Sequence, residues 1–214
     1  MFHLSTCARV LVSPVILGSL LGMMRRVALL LAAAAPVALA GQAPKKNYTD
    51  ADVHFVAGMI GHHAQAIQMA GWCGSHGASA SLRVLCERIV VAQNDEIAFA
   101  QRWLREHSEY VPPADPRGHI MQGMDHPMLM PGMLTPEQMQ QLDAARGPEF
   151  DRLFLTFMIQ HHQGAITMVQ QLLAVPGAAQ DGPIFRFASD VNADQTTEIN
   201  RMTLMLDALK RSSQ

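Results

Sequence analysis

Apolar residues recur every three or four positions along most of the chain beyond residue 48, which is the spacing of one helix face. No stretch shows the alternation of apolar and polar residues that is typical of a half-buried strand. The pattern therefore predicts an all-α protein. The clearest run keeps helical spacing at Leu82, Leu85, Ile89, Val90, Ile97, Trp103 and Leu104.

Start and stop signals divide this pattern into four long helices and one short helix. Thr49 or Asp50 is suited to cap the first helix, and Pro112-Pro113 ends the second. Pro136 starts the short helix, since proline is favoured at the first helical position. We expect long helices over about residues 49–72, 79–109, 149–175 and 183–210, and the short one over about 135–147.

A repeated motif relates the two halves of the chain. The segment Met-Ile-x-His-His-x-x-Ala-Ile-x-Met begins at Met59 and returns 99 residues later at Met158. The segment Gln-x-x-Glu-Ile begins at Gln93 and again at Gln195. Each half thus forms a hairpin with paired histidines on one helix and Gln-x-x-Glu on the other. We expect a four-helix bundle with internal pseudo-twofold symmetry. It divides into repeat one (about 49–110), a linker (111–133) and repeat two (about 149–210).

The first 40 residues have the pattern of an export signal. A basic Met-Met-Arg-Arg segment precedes an apolar run that ends in Ala-Leu-Ala. We expect cleavage after Ala40, a single mature domain over 41–214, and a periplasmic or secreted location. Because residues 1–22 are unusual before such a signal, we expect translation to start at Met23 or Met24. The alternative is an N-terminal membrane anchor, although a comfortable span needs about 20 apolar residues.

Charge and cysteine content narrow the possible classes of protein further. Without residues 1–40, which carry three arginines and no acid, 13 basic residues remain against 18 acidic ones, a formal charge of −5. This argues against a nucleic-acid-binding protein, whose binding face would be basic. Cys73 and Cys86 are the cysteines of the mature chain. In an oxidising compartment they are expected to form a disulfide, and the alternative is that one thiolate binds metal.

The paired histidines share one helix face with methionine. At about 100° per residue from Met59, His63 falls at about +40° and His62 at about −60° on a helical wheel. Imidazole with thioether suits Cu(I), whereas imidazole with carboxylate suits Cu(II), zinc or iron. Methionines at helical spacing also serve as core filler, which is the alternative for all of them. The predicted metal ligands are Met59, His62, His63, Met69, Met158, His161, His162 and Met168, of which Met69 and Met168 lie at the edge of the face.

The linker has no clear periodicity and is rich in methionine, glycine, proline and histidine. Because thioethers are soft ligands that select Cu(I) and Ag(I), we interpret it as an exposed metal-capture loop. The alternative is a flexible loop whose methionines cap the bundle. The candidate residues are His119, Met121, Met124, His126, Met128, Met130 and Met133.

Four carboxylates lie near the motifs in the sequence. Glu96 and Glu198 are expected either to accept the far N–H of a ligating histidine, which would orient the ring, or to lie on a solvated face. Asp52 and Asp151 share the histidine face on the helical wheel and are placed in the same orienting group.

The two Met-Ile-x-His-His motifs and the two Gln-x-x-Glu-Ile segments resemble the "domain of unknown function 305" family of exported bacterial proteins. The stretches 134–139 and 150–155 fit as well, and the resemblance covers about residues 48–210. The second motif is the more typical, while the first departs at Gly61 and Ala64. The resemblance implies a ferritin-like helical bundle, and a link of some members to copper binding and copper resistance.

These observations lead to one main hypothesis and two alternatives. The main one is an exported copper-binding protein, without an organic cofactor, that sequesters or delivers Cu(I), with Cu(II) or Ag(I) as other cargo. Its partners would be a copper exporter or a metallochaperone, and oligomerisation is left open. The first alternative is a ferritin-like di-metal oxidase, although the chain lacks the Glu-x-x-His of di-iron bundles. The second is a metal-free helical interaction module. An enzymatic activity is therefore not the favoured interpretation.

Overall fold

The structure, a computed structural model, describes residues 46–212 with the exception of residues 121 and 124. Helix α1 packs against α2, α4 packs against α5, and α1 contacts α4, while the short α3 rests on α4. Within these residues, the extended structure is limited to one isolated bridge between His119 and Met128. The helices are α1 (Asp50–Gly71), α2 (Ala80–Glu106), α3 (Pro136–Ala144), α4 (Gly147–Leu173) and α5 (Gly182–Ser212).

The predicted all-α fold is confirmed, and every predicted helix is present with its ends within three residues of the expected ones. The largest differences have local causes. Helix α2 ends before the prolines because Ser108 adopts a left-handed conformation with φ of 57°. Helix α4 begins two residues earlier than expected, because Pro148 fits its first turn, where the missing N–H breaks no intrahelical hydrogen bond.

Two buried aspartates hold the ends of the hairpins together. Asp52 closes a capping box with Thr49 and accepts a hydrogen bond of 2.7 Å from the backbone N–H of Ala179, in the α4–α5 loop. Asp151 accepts the backbone N–H of Ser79, in the α1–α2 loop, at 3.2 Å to each oxygen. Each repeat thus fastens the interhelical loop of the other. The expectation that Asp52 and Asp151 orient the histidines is wrong, because these contacts occupy both carboxylates.

The α1–α2 hairpin is closed by a disulfide between Cys73 and Cys86. Both half-cystines are buried in the same apolar cluster as the end of α1 and the start of α2. The predicted pairing is therefore present, and neither sulfur is a free thiolate that could bind metal.

The buried apolar side chains form two clusters, one toward each end of the bundle. The first joins the N-terminal part of α1 to the C-terminal parts of α2 and α4 and to the start of α5. The second joins the opposite parts of the same helices, together with α3. A polar layer lies between them, at mid-length of the four long helices. Its fully or almost fully buried members are His62, His63, Gln93, His161, His162 and Gln195.

Among the described residues, none of the helices combines the length and apolar character needed to cross a membrane. The predicted signal and its cleavage site after Ala40 lie outside these residues. The described part of the chain belongs to one compact unit, Lys45–Gln214.

Candidate metal centre

The two copies of the repeated motif meet in the polar layer. The ring centroids of His62 on α1 and His161 on α4 are 3.9 Å apart, with 41° between the ring planes. The neighbouring rings lie at 6.0 Å for His62 and His63 and at 6.2 Å for His161 and His162. All four side chains have 0% exposure to solvent. The structure therefore brings the predicted histidines together as one group, called here the histidine cluster.

A glutamate from the paired helix contacts the outer histidine of each repeat. His63 Nε2 lies 2.8 Å from Glu96 Oε2, and His162 Nε2 lies 2.6 Å from Glu198 Oε2. The second contact is a directed hydrogen bond, whereas the N–H of His63 does not point along the line to its glutamate. A carboxylate at the far nitrogen fixes the tautomer and orientation of a histidine ligand. Glu198 therefore makes a contact of this kind, and Glu96 lies 2.8 Å from His63 without a directed hydrogen bond.

The four Nδ1 atoms of the histidine cluster have no hydrogen-bond partner within the described part of the chain. His62 Nε2 lies 3.0 Å from the carbonyl oxygen of Pro131, and His162 Nε2 contacts Glu198. In both rings the hydrogen-bond network assigns the proton to Nε2, so Nδ1 keeps its lone pair. His161 has neither ring nitrogen paired. Because a buried unpaired polar atom costs about 1–3 kcal/mol, four such atoms fit a group of imidazoles that receives a metal ion.

Burial keeps the imidazoles of His62 and His161 neutral. Burial, reinforced by the neighbouring His63 and His162, lowers the pKa of His62 from 6.5 to about 3. Burial also lowers the pKa of His161 well below its ordinary value, and the charges of the other three histidines act in the same direction. A metal ion binds the neutral form of imidazole. Protons therefore compete little with a metal ion for these two rings at neutral pH.

The four methionines of the motifs are buried in the apolar clusters that flank the histidines. Met59 and Met168 belong to the first cluster, and Met69 and Met158 belong to the second. Within each repeat, Met59 and Met158 lie three and four positions before the paired histidines, which places them one turn away on the same side of the helix. The packing of all four is also what methionine does in a core without metal.

The linker lies against the histidine cluster and is not uniformly exposed. Met130, at 9% exposure, and Met133, at 5%, belong to the first apolar cluster, and His119 is 3% exposed. Met130 approaches α1 at Gly58, since its Cε atom lies 2.6 Å from where a β-carbon on that glycine would be. The expectation of exposed linker methionines is wrong for these two, because burial of their side chains attaches the linker to the bundle. His126 is exposed, Met128 is half-buried, and Met121 and Met124 lie outside the described residues.

Two glycines in the histidine motifs allow the linker backbone to reach the helices. A β-carbon on Gly61 of α1 would lie 2.6 Å from the carbonyl oxygen of Gly118. A β-carbon on Gly164 of α4 would overlap the carbonyl of Pro131. The same Pro131 carbonyl accepts the hydrogen bond of His62. The linker therefore covers the histidine cluster through its backbone, and the departure of the first motif at Gly61 has a steric reason.

Gln65 is a residue of the site region that the sequence reasoning missed. Its side-chain amide donates to the carbonyls of Pro116 and Leu134, both at 3.1 Å, and its oxygen accepts the N–H of Leu134 at 2.6 Å. One buried side chain thus fastens both ends of the linker to α1. The only signal in the sequence is a glutamine two positions after the paired histidines on an otherwise apolar helix face.

Within residues 46–212, leaving aside 121 and 124, no three or more His, Cys, Asp or Glu side chains are already arranged to hold a metal ion. The histidine cluster thus brings four rings close together without yet presenting them as a ready metal site. Metal binding there would require ring rotations, which would also disturb the Nε2 contacts of His62 with Pro131 and of His162 with Glu198.

Comparison with known proteins agrees with the fold. A DUF305 protein of Streptomyces coelicolor, described as secreted, superposes with a TM-score of 0.63 at 24% identity, over 75% of this chain and 92% of that one. A DUF305 fragment of Deinococcus radiodurans gives 0.62 at 27% identity, over 75% and 98%. CopM in a Cu(I)-bound form gives 0.56 at 24% identity, over 73% and 96%. CopM is also known in Cu(II)-bound and silver-bound forms.

No protein of curated function matches the chain at a significant level. The family described as Domain of unknown function (DUF305) matches residues 52–206, which include all four long helices almost completely and both histidine motifs. The chain therefore belongs to the DUF305 family.

Proposed function

We propose that this protein is an exported copper-binding protein that holds Cu(I) at the histidine cluster and either sequesters it or passes it on. The observation that carries the proposal is the buried group of four imidazoles with unpaired Nδ1 atoms, two from each repeat. CopM, a structural neighbour with the same fold, binds Cu(I), Cu(II) and silver. At 24% identity this likeness shows the fold, so the assignment of copper rests on the chemistry of the cluster.

The proposed ligands are drawn from the four histidines and their neighbouring thioethers. Imidazoles in a site closed to water suit Cu(I), which needs few ligands and no charge compensation from carboxylates. Met59 and Met158 are the nearest thioethers along their helices and are proposed as the additional ligands. Glu96 and Glu198 would hold His63 and His162 through their far nitrogens, as their contacts of 2.8 and 2.6 Å allow.

The linker is proposed to supply copper to this cluster. Met130 and Met133 share one apolar cluster with Met59 and Met168, and both Met130 and Met168 approach Gly58. A group of thioethers therefore extends from the linker to the residue next to Met59. The less buried His126 and Met128, and the linker residues Met121 and Met124, would capture the ion first. A soft ion could then be exchanged between thioethers, since each is a weak neutral ligand.

The test is an anaerobic titration of residues 41–214 with Cu(I) against a competing chelator, with metal counted per chain. Ascorbate serves as the reductant in place of a thiol, so that the Cys73–Cys86 disulfide stays intact. Tight binding that is lost in the His62→Ala/His161→Ala variant would support the proposal. The His107→Ala variant is the matched control, because His107 lies at the end of α2 and bonds the carbonyl of Trp103. Unchanged stoichiometry in the double variant would overturn the assignment.

A second titration separates thioether ligands from core methionines. Met59→Leu with Met158→Leu conserves volume, so it should leave the fold intact. If the thioethers are ligands, the Kd for Cu(I) should rise at least tenfold, whereas Met202→Leu, a buried methionine of α5, should change it less than twofold. Equal affinities for the two variants would confine the site to histidines.

A di-metal oxidase is the second candidate function, and the contacts of Glu96 and Glu198 with the histidine cluster are the observation in its favour. Loading with Fe(II) and exposing the protein to dioxygen tests this directly. Iron oxidation with turnover would favour the oxidase, and its absence would remove this candidate.

A further inference from the structure

An acidic cavity lies between α2 and α5, on the outer side of the two glutamates that contact the histidines. Its volume is about 150 Å³. Three carboxylates line it, those of Glu96, Asp194 and Glu198, against one guanidinium, that of Arg88. The side chains around this space therefore carry a surplus of two negative charges when all are ionised. A larger cavity alongside it shares Glu96 and Asp194 and adds the acids Asp95 and Asp190 and the base Arg186.

Two buried glutamines line the same cavity and leave amide atoms unpaired. Gln93 and Gln195 are each 2% exposed. Neither the oxygen nor the nitrogen of the Gln93 amide has a hydrogen-bond partner within the described part of the chain, and the Gln195 oxygen has none. A buried amide without partners costs free energy, so these groups indicate a ligand or a set of ordered waters in the cavity. They come from the Gln-x-x-Glu segments, so each repeat contributes one amide and one carboxylate.

The electrostatics of the cavity favour a positively charged ligand. Partial desolvation, reinforced by the negative charges of Glu96, Glu198 and Asp190, raises the pKa of Asp194. Three carboxylates thus lie together, and their mutual repulsion opposes folding unless a cation is present. One oxygen of Glu96 and one of Glu198 contacts a histidine, and both glutamates also line the cavity.

We propose that this cavity binds a hydrated divalent cation of the Mg²⁺ class, at a site separate from the histidine cluster. The lining offers carboxylate and amide oxygens, which are the ligands of hard cations. Within the described residues no three acids converge closely enough to hold a bare ion, so the cation keeps most of its water. Mg²⁺ loses water reluctantly and commonly binds through one or two carboxylates. At about 30 Å³ per water, the cavity has room for an ion with several waters.

The charge balance explains why the site lies here. A divalent ion would neutralise the surplus of two negative charges next to the glutamates that hold His63 and His162. The inference does not depend on copper binding, because none of the proposed copper ligands lines the cavity.

The experiment uses Mn²⁺ as a paramagnetic stand-in for Mg²⁺ and counts free ion by EPR at 0.15 M salt. We expect one saturable Mn²⁺ per chain, competed by Mg²⁺. Asp194→Asn should weaken the binding of Mn²⁺ at least fivefold. Asp207→Asn, a carboxylate change on the same helix but outside the cavity, should change the affinity less than twofold. The absence of a saturable site, or equal affinities for wild type and Asp194→Asn, would overturn the proposal.

Two further measurements separate this site from the histidine cluster and from a purely structural role of Asp194. His62→Ala/His161→Ala should keep the Mn²⁺ site, and its loss there would place the ion at the histidines and overturn the proposal. Without divalent ions, Asp194→Asn should melt at a higher temperature than wild type, because a like charge is removed. The Mn²⁺-induced rise in melting temperature should then be absent from the variant. A lower melting temperature in the metal-free variant would mean that Asp194 is structural, and would also overturn the proposal.

Discussion

His62 and His161 are 99 positions apart in the chain, yet their ring centroids lie 3.9 Å apart at the centre of the bundle. They hold equivalent places in the two repeats, so the contact joins matching positions of the two histidine motifs. It is also the place where the two apolar clusters are separated by polar side chains. Buried neutral imidazoles are costly in a core, and that cost gives the metal-free protein a distinct dependence on pH.

Acid should destabilise the metal-free protein in a range set by these histidines. The pKa of His62 is about 3 in the folded state against 6.5 ordinarily, so between these values the unfolded chain binds the extra proton. The free energy of unfolding therefore falls as pH drops below about 6.5, by about 1.4 kcal/mol per pH unit for each such group. His161 acts in the same direction. Urea unfolding between pH 7 and pH 4 measures the slope.

The control for this pH dependence is His62→Gln, which removes one titrating group while keeping an amide near the Pro131 carbonyl. Its slope should be shallower than that of wild type by about 1.4 kcal/mol per pH unit around pH 5. An identical slope would show that His62 is protonated in the folded protein, contrary to its burial.

The contact between the linker and α1 predicts that Gly→Ala substitutions in this helix change the stability differently at different positions. Gly61→Ala places a methyl group 2.6 Å from the Gly118 carbonyl, so the linker must shift, at a cost of about 1–3 kcal/mol. Gly71→Ala, on the same helix, has nothing within 4 Å and should be neutral or stabilise by up to about 1 kcal/mol. Urea denaturation of the two variants checks this. Equal stabilities would mean that the linker does not rest on α1 in solution.

The histidine motifs and the Gln-x-x-Glu segments were predictable because duplication marks them and helical spacing places them on a face. The error at Asp52 came from the helical wheel, which shows the angle of a residue around the helix axis but not its position along that axis. Asp52 lies ten residues before His62, or about 15 Å along the axis at 1.5 Å per residue. The course of the linker was not predictable, since backbone carbonyls and buried methionines attach it and no periodicity records them. The hints were Gln65 and the glycines inside the helices, since a glycine within a helix often has a packing reason.

The two aspartates should contribute to stability and not to metal binding. Asp52→Ala removes the acceptor of the Ala179 N–H and the capping box, and leaves that buried N–H unpaired. We expect a loss of about 1–3 kcal/mol, with a similar loss for Asp151→Ala, which frees the Ser79 N–H. The copper stoichiometry of both variants should equal that of wild type. A stable Asp52→Ala variant with weakened copper binding would restore the orienting role expected from the wheel.

Copper should stabilise the fold in proportion to its affinity. If Cu(I) binds the folded histidine cluster and not the unfolded chain, free metal at 100 times the Kd adds about 2.7 kcal/mol to the free energy of unfolding. Anaerobic thermal melts at several buffered Cu(I) concentrations measure this as a rising midpoint. The rise should be absent from His62→Ala/His161→Ala and retained in His107→Ala. A rise that persists in the double variant would place the stabilising copper elsewhere, and the linker thioethers would be the first sites to mutate.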